Sequence, residues 1–169
     1  QLCVRQMLND TSQDQDFKCF TLIATCGINP EWESRKNSKA HQAIPLPNIK
    51  AVEKIPMMQR MLNQMGFGIN SVVNPDPSII MDLSQKTFNV FHIADVTGSP
   101  FLPAQEDFLK PYGVKSALGF GGMLPSGNMF AIIIFSKTRI TEKTANSFAP
   151  LALNVKMVLL PFEKTVFNQ

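Results

Sequence analysis

The chain has 169 residues and a net charge of +3, and 44% of its residues are hydrophobic while 17% are charged. This size and composition predict one domain, with or without a helical extension, that buries a proper core, and they argue against a disordered chain. The basic residues occur singly, without the aromatic interleaving typical of nucleic-acid binding, so no nucleic-acid partner is expected.

The cysteines and the apolar runs indicate a cellular setting. Cys19 and Cys26 fall in one predicted strand at a separation that points them to opposite faces, so a disulfide between them is not expected. A reducing, cytoplasmic location is therefore predicted. No run of about 18 apolar residues is found, so no membrane insertion is expected. The chain begins at Gln1 and not at methionine, which indicates a fragment of a larger protein.

The first predicted elements are a short amphipathic helix over residues 1–12 and a strand from Phe17 to Cys26. A polar stretch follows, in which Trp32, Arg35 and His41 could share one helical side. Such a side would offer a stacking surface and two donors to an anion. The alternative is a solvated helix whose tryptophan covers the core.

The limits of the next predicted helix are indicated by three residues. Asn48 is suited to cap its start, Pro56 is expected to kink or restart it, and Gly66 stands in a good position to end it. Its methionine stripe predicts core filling or a partner surface. A short strand over Ile69–Val73 and a short helix over Ser78–Ser84 are predicted next.

The strand Thr87–Asp95 alternates well, with Phe88, Val90 and His92 on one face and Asn89, Phe91 and Ile93 on the other. His92 is either a ligand contact in the middle of the sheet or a histidine satisfied within the core. The segment 96–113 holds three prolines and is irregular apart from a short helix predicted over Ala104–Leu109.

The plainest signal is a hairpin of two strands, 114–124 and 129–136, joined by the turn Pro125–Asn128. Every residue from Phe130 to Phe135 is apolar, which predicts a strand covered on both faces in the middle of a sheet. The closing helix is predicted over 141–162, with Thr141 as its N-cap and Pro150 bending it or starting a second segment. Its apolar stripe is suited to packing on the sheet or to pairing with a second copy.

Several kinds of catalytic or metal site are not supported by the residues. The Gly119–Gly122 stretch lacks the third glycine of a dinucleotide-binding loop and precedes a strand. The cysteines and histidines are isolated, so no metal site is expected. No serine or cysteine stands in the sequence context of an activated nucleophile. A non-catalytic domain is therefore predicted.

The order of elements and several motifs of the second half resemble the GAF domain family. These motifs are Asp95-Val96 at a strand end, Gly113-Val-Lys-Ser116-Ala-Leu118 and the hairpin glycine Gly127. Ala131 departs from the family, which usually has a second glycine there. Three longer phrases, which begin at Glu31, His41 and Gly119, are similar to a GAF-like module found beside histidine-kinase modules in bacterial sensor proteins.

The resemblance implies an α+β, profilin-like fold: a central antiparallel sheet of five or six strands, with helices on one face and pocket-closing loops on the other. It implies a single domain over residues 1–169, with the sheet and pocket in 17–136. It also implies a homodimer formed by the terminal helices and an output module, such as a histidine kinase, in the same chain.

The expected function is a sensory domain that binds a small molecule, of unknown identity and with no known cofactor, and relays the event through its terminal helices. The expected pocket lining is Phe91, His92, Phe101, Gln105, Tyr112 and Phe120, with Trp32, Arg35 and His41 as lid or anion contacts. One alternative is a ligand-free dimerisation module. The other is a thiol redox enzyme, which needs Cys19 or Cys26 exposed with a lowered pKa.

Overall fold

The computed structural model describes residues 18–38 and 42–163. The chain divides into two compact units, and the boundary between them follows Val52. The helix predicted over residues 1–12 and the candidate residue His41 lie outside the described residues.

The N-terminal unit contains a two-stranded antiparallel sheet. Strand β1 (Lys18–Thr21) pairs with β2 (Ala43–Leu46), so that Phe20 lies opposite Ile44. The predicted strand Phe17–Cys26 is therefore real but shorter than expected. Two single 3₁₀ turns, Pro30–Trp32 and Arg35–Asn37, lie between the strands, where one longer polar helix was considered.

Helix α1 (Ile49–Glu53) begins as predicted, because the side chain of Asn48 accepts a hydrogen bond from the backbone N–H of Ala51 at 3.0 Å. Pro56 restarts the chain as helix α2 (Pro56–Met65). Gly66 ends that helix with a φ of 83°, the left-handed conformation that glycine adopts without strain. All three capping predictions are confirmed.

The C-terminal unit is organised around a three-stranded antiparallel sheet. Its strands are β3 (Phe91–Ile93), β4 (Ser116–Met123) and β5 (Met129–Ser136), in the order β3-β4-β5. Every residue of β4 is buried, as expected for a central strand. The predicted hairpin between β4 and β5 is confirmed, and Gly127 takes a φ of 78° in its turn.

The prediction of one sheet with five or six strands is wrong for the described residues, which form sheets of two and three strands. Among them β5 is an edge strand and does not lie in the middle of its sheet. Its apolar sequence indicates that its faces are covered, but it does not reveal whether another strand pairs with its edge. Strand β3 is shorter than the predicted Thr87–Asp95, because the N–H of Asn89 bonds to the carbonyl of Met65 and not to β4.

Two short helices follow α2. Residues Ile69–Val73 form helix α3 and not the predicted strand. At the end of this helix the backbone N–H of Asn74 donates to the carbonyl of Asn70 at 2.8 Å. The β-branched residues suggested a strand, but burial of Val72 and Val73 on one side of a turn outweighs that weak preference. Helix α4 (Ile80–Gln85) corresponds to the helix predicted over Ser78–Ser84.

The last helical segment of the described residues, 142–162, is called here the C-terminal helix. It consists of α5 (Glu142–Asn146), α6 (Leu151–Leu159) and a 3₁₀ turn at Leu160–Phe162. Thr141 caps α5 by accepting a hydrogen bond from the N–H of Thr144 at 3.2 Å, and the second segment starts after Pro150, as predicted.

The helices lie on both faces of the three-stranded sheet, not on one face as expected. On one face α2 approaches so closely that a Cβ at Gly121 would lie 3.0 Å from Cε of Met65. On the other face the C-terminal helix packs through Phe148, Ala152 and Val155 against a core that includes Leu118 and Phe120. The central strand is buried because it is covered from both sides.

Candidate functional site

The residues predicted to line one pocket are distributed over both faces of the sheet. Phe91 is fully buried on the face covered by α2, where its ring lies beside Gly119. Phe120 is buried on the opposite face, with its ring centroid 6.2 Å from that of Phe148. The sheet separates these two side chains, so they cannot contact the same small molecule.

His92 is held by structural hydrogen bonds. Its ring Nε2 lies 2.8 Å from the carbonyl oxygen of Ile140, and because a carbonyl only accepts, Nε2 carries the proton. The side chain of Gln64 accepts from the His92 backbone N–H at 3.0 Å and donates to its carbonyl at 3.2 Å. Gln64 thus bonds to the outer edge of β3 as a neighbouring strand would. These contacts fit the alternative of a satisfied core histidine.

The side chain of Gln105 stabilises the loop between β3 and β4 by hydrogen bonds. Its amide nitrogen donates to the carbonyls of Val96 and Leu102 at 2.9 and 2.8 Å, and its amide oxygen accepts from the N–H of Gly98 at 3.1 Å. Each of these bonds stays within the loop. The predicted helix Ala104–Leu109 is instead a single π turn over Gln105–Leu109, a form that often occurs at functional sites.

Phe101 and Tyr112 sit at different ends of the same loop. The guanidinium of Arg60, on α2, lies 4.7 Å from the ring centroid of Phe101. The ring of Tyr112 contacts Phe108, which in turn meets Phe135 of β5 edge-to-face at 5.0 Å. The loop therefore covers part of the α2 side of the sheet with aromatic rings.

The start of this loop is fixed by Asp95. Its carboxylate accepts a hydrogen bond from the backbone N–H of Thr97 at 3.0 Å and pairs with Arg139. The bonds from Thr97, and to a smaller extent the charge of Arg139, hold the pKa of Asp95 below its ordinary value. This strand end was part of the family resemblance.

The two described candidates in the N-terminal unit have local roles. The indole of Trp32 packs so tightly on Gly27 that a Cβ there would lie 2.5 Å from an indole carbon. Arg35 donates from Nη1 to the carbonyl of Leu22 at 3.4 Å. Cys19 and Cys26 are both exposed and form no disulfide, and partial burial raises the pKa of Cys19. A raised pKa is the opposite of what a reactive thiol requires.

The C-terminal helix has an unusual distribution of polar and apolar side chains. Lys156 turns inward to donate to the carbonyl of Ser84 on α4, and partial burial lowers its pKa. At the end of the helix, Glu163 accepts from the N–H of Ser126 at 2.8 Å in the β4–β5 turn. The long polar side chains of this part of the helix are thus used against the rest of the domain.

The opposite side of the helix is apolar and faces solvent. Leu153, Met157 and Val158 are 63%, 61% and 66% exposed, and Leu151 is 40% exposed. These four residues form what is called here the outward face. The three- and four-residue spacing in the sequence predicts an apolar stripe that does not include Leu153 or Met157; its members are Phe148, Leu151, Ala152, Val155, Val158, Leu159 and Phe162. The signal was present, because only Asn154 and Lys156 are polar between Leu151 and Leu160.

By length and composition, one helical segment of the described residues could cross a membrane, and it is Glu142–Phe162. A single segment of this kind is weak evidence, since core helices meet the same criteria. In this structure one side of the segment packs on the sheet. No group of three His, Cys, Asp or Glu side chains that could hold a metal ion occurs within residues 18–38 and 42–163.

Comparisons with protein-family models, with curated proteins and with solved structures found no match to this chain.

Proposed function

We propose that this chain is a non-catalytic regulatory domain that acts as a homodimer, and that two copies associate through the outward face of the C-terminal helix. The observation that carries this proposal is that the C-terminal helix is apolar on two sides. Phe148, Ala152 and Val155 pack on the sheet, while Leu153, Met157 and Val158 are exposed. A helix on the surface of a monomer normally carries polar residues on the side opposite its packed apolar stripe.

A second copy of the chain is the partner that suits this surface best. An interface with two-fold symmetry brings the same patch from each copy together, so the patch must complement itself. A face without charged side chains meets this condition, because no like charges come together. The outward face consists of Leu151, Leu153, Met157 and Val158, with the uncharged Asn154 among them.

The area of the outward face is consistent with a dimer of moderate affinity. Its four apolar side chains expose on the order of 400 Å², which is within the range of the largest patch on a monomeric protein. Two such faces would bury about 800 Å², an area typical of weak, transient contacts. We therefore expect a dissociation constant in the micromolar range.

A membrane is a less suitable partner for this helix. Amphipathic helices that lie on membranes carry rows of lysine or arginine beside their apolar face. Lys156, which precedes Met157 in the sequence, is instead bonded to Ser84. Crossing a bilayer would remove Phe148, Ala152 and Val155 from the sheet and leave Leu118 and Phe120 uncovered.

As the resemblance to GAF domains suggests, the dimer would transmit a signal to an output module in the same chain, such as a histidine kinase. Small-molecule sensing is the second candidate function, and the loop between β3 and β4 favours it. That loop combines a π turn, the Arg60–Phe101 stack and two glycines with a φ of 65°, Gly98 and Gly113. The ligand site would lie at this loop, not across the sheet.

Native mass spectrometry tests both functions in one measurement. We expect wild-type protein to show a dimer at micromolar concentration, Leu153→Glu to show a monomer, and Met81→Glu to remain a dimer. Met81 is a matched control, because it is 60% exposed but lies on α4, outside the outward face. A monomeric wild type would contradict the dimer, and a retained small-molecule mass would support the sensory function.

A further inference from the structure

The methionines of the described residues differ sharply in their exposure. Only Met81 and Met157 are exposed, at 60% and 61%. The other six are buried or half-buried: Met57, Met58, Met61, Met65, Met123 and Met129. Oxidation of methionine by hydroperoxides requires access to the thioether, so Met81 and Met157 are the two described methionines open to this reaction.

These two methionines lie on either side of one contact between α4 and α6. Met81 is near Ser84, whose hydroxyl donates to the Met81 carbonyl at 2.7 Å and lies 3.9 Å from its sulfur. Met157 follows Lys156, which donates to the carbonyl of Ser84. Met157 belongs to the outward face, whereas Met81 does not. Residues 18–38 and 42–163 thus contain two exposed thioethers, one inside the proposed interface and one outside it.

Resting on the proposed dimer, we propose that Met157 is an oxidation site whose conversion to the sulfoxide dissociates the two copies. The oxidant is a hydroperoxide. The thioether sulfur attacks the outer peroxide oxygen, an S–O bond forms, the O–O bond breaks, and the proton of the outer oxygen passes to the departing oxygen. The sulfur loses two electrons, and the peroxide is reduced to an alcohol, or to water in the case of hydrogen peroxide.

The product explains the dissociation. A sulfoxide is polar, and Asn154 is the one residue of the outward face whose side chain can donate a hydrogen bond. Burial of the sulfoxide among leucine and valine side chains is therefore unfavourable. The dissociation constant of the dimer should rise by about tenfold or more, which corresponds to one unpaired polar group in a dry contact. Oxidation would therefore act on the monomer and keep it monomeric.

Dimer formation should also protect Met157 from oxidation, and this protection is a second, independent test of the proposal. At high protein concentration Met157 is buried between the copies, so its oxidation by hydrogen peroxide should slow. Met81 should react at the same rate at every concentration. Peptide-mapping mass spectrometry of the full chain, treated with hydrogen peroxide at concentrations below and above the dissociation constant, measures both rates.

Sedimentation velocity then measures the effect of oxidation on association. After peroxide treatment we expect wild type and Met81→Leu to become monomeric and Met157→Leu to remain dimeric. Leucine has a similar size and cannot be oxidised, and the Met157→Leu variant retains Cys19, Cys26 and every other methionine. A dimer that dissociates in all three proteins would assign the effect to another residue and overturn the proposal.

The two proposals fail in different ways. If untreated wild type is monomeric at every concentration, the dimer itself is absent and both proposals are overturned. If untreated wild type is dimeric and remains dimeric with Met157 fully oxidised, the dimer stands and only the oxidation proposal is overturned.

Discussion

Helices α2 and α6 pack on opposite faces of the same sheet, and their exposures are opposite. On α2, the apolar residues Met58, Met61, Leu62 and Met65 are buried, while Arg60 is exposed. On α6 no residue is fully buried. The single chain thus completes the packing of α2 and leaves that of α6 incomplete.

This difference has an energetic meaning. Full burial of a leucine or methionine contributes about 1.5–3 kcal/mol, and the buried side of α2 gains it within one copy. On α6 the side chains that contact the sheet are small or partly buried, such as Ala152 and Val155. The larger ones, Leu153 and Met157, gain this stabilisation only when another surface covers them.

The largest expected effect comes from two identical substitutions in the two helices. Leu62→Ala should lower the free energy of unfolding by about 3 kcal/mol, because Leu62 is completely buried and its loss leaves a cavity. Leu153→Ala should change it by less than about 0.5 kcal/mol at concentrations where the chain is monomeric. Urea denaturation of both variants checks the comparison. Equal losses would show that α6 is packed as fully as α2.

A smaller effect is expected from glycine substitutions on the two faces of β4. A Cβ at Gly121, on the α2 face, would lie 2.2 Å from the carbonyl oxygen of Phe130, and backbone cannot easily move away. Gly121→Ala should therefore cost about 2 kcal/mol.

The neighbouring Gly122 is the control for this effect. A Cβ there would meet only the ring of Phe130, at 3.1 Å, and a side chain can adjust. Gly122→Ala should cost less than half as much as Gly121→Ala in thermal unfolding. A larger cost for Gly122→Ala would contradict the view that the α2 face is the more tightly packed.

The smallest expected effect is on stability at acid pH, through Asp95 at the start of the loop between β3 and β4. The pKa of Asp95 is held below its ordinary value of 3.8. The ionised carboxylate therefore stabilises the fold fully above pH 3.8, and this stabilisation is lost as the pH falls through the lower folded-state pKa. In Asp95→Asn the free energy of unfolding should depend less on pH below 3.8 than it does in wild type. Arg139→Gln should reduce this dependence less, because Thr97 is the main cause of the shift. Acid titration followed by circular dichroism checks this order.

Local chemistry accounts for the elements that sequence predicted correctly. Asn48, Gly66 and Thr141 act within a few residues, so their capping roles do not depend on the rest of the fold. The edge position of β5 depends on which strands pair across long distances, which composition does not encode. The helix at Ile69–Val73 was missed because five residues carry too little periodicity to outweigh β-branched side chains.

The candidate pocket residues lie on both faces of the sheet for a reason that the sequence already contained. Phe91 and His92 are adjacent in a strand, and adjacent strand residues point to opposite faces. They therefore cannot both line a pocket on one face of the sheet. The outward face was missed for a different reason. The exposure of Leu153 and Met157 depends on how α6 packs on the sheet, which the local sequence does not specify.

Sedimentation velocity over a range of protein concentrations tests the central claim most directly. The dimer proposal predicts that the sedimentation coefficient of wild type rises from the monomer to the dimer value across micromolar concentrations. It predicts that Val158→Glu stays monomeric throughout, while Met81→Glu behaves as wild type does. A wild type that remains monomeric, or a Val158→Glu variant that associates equally well, would contradict the proposal that two copies meet at the outward face.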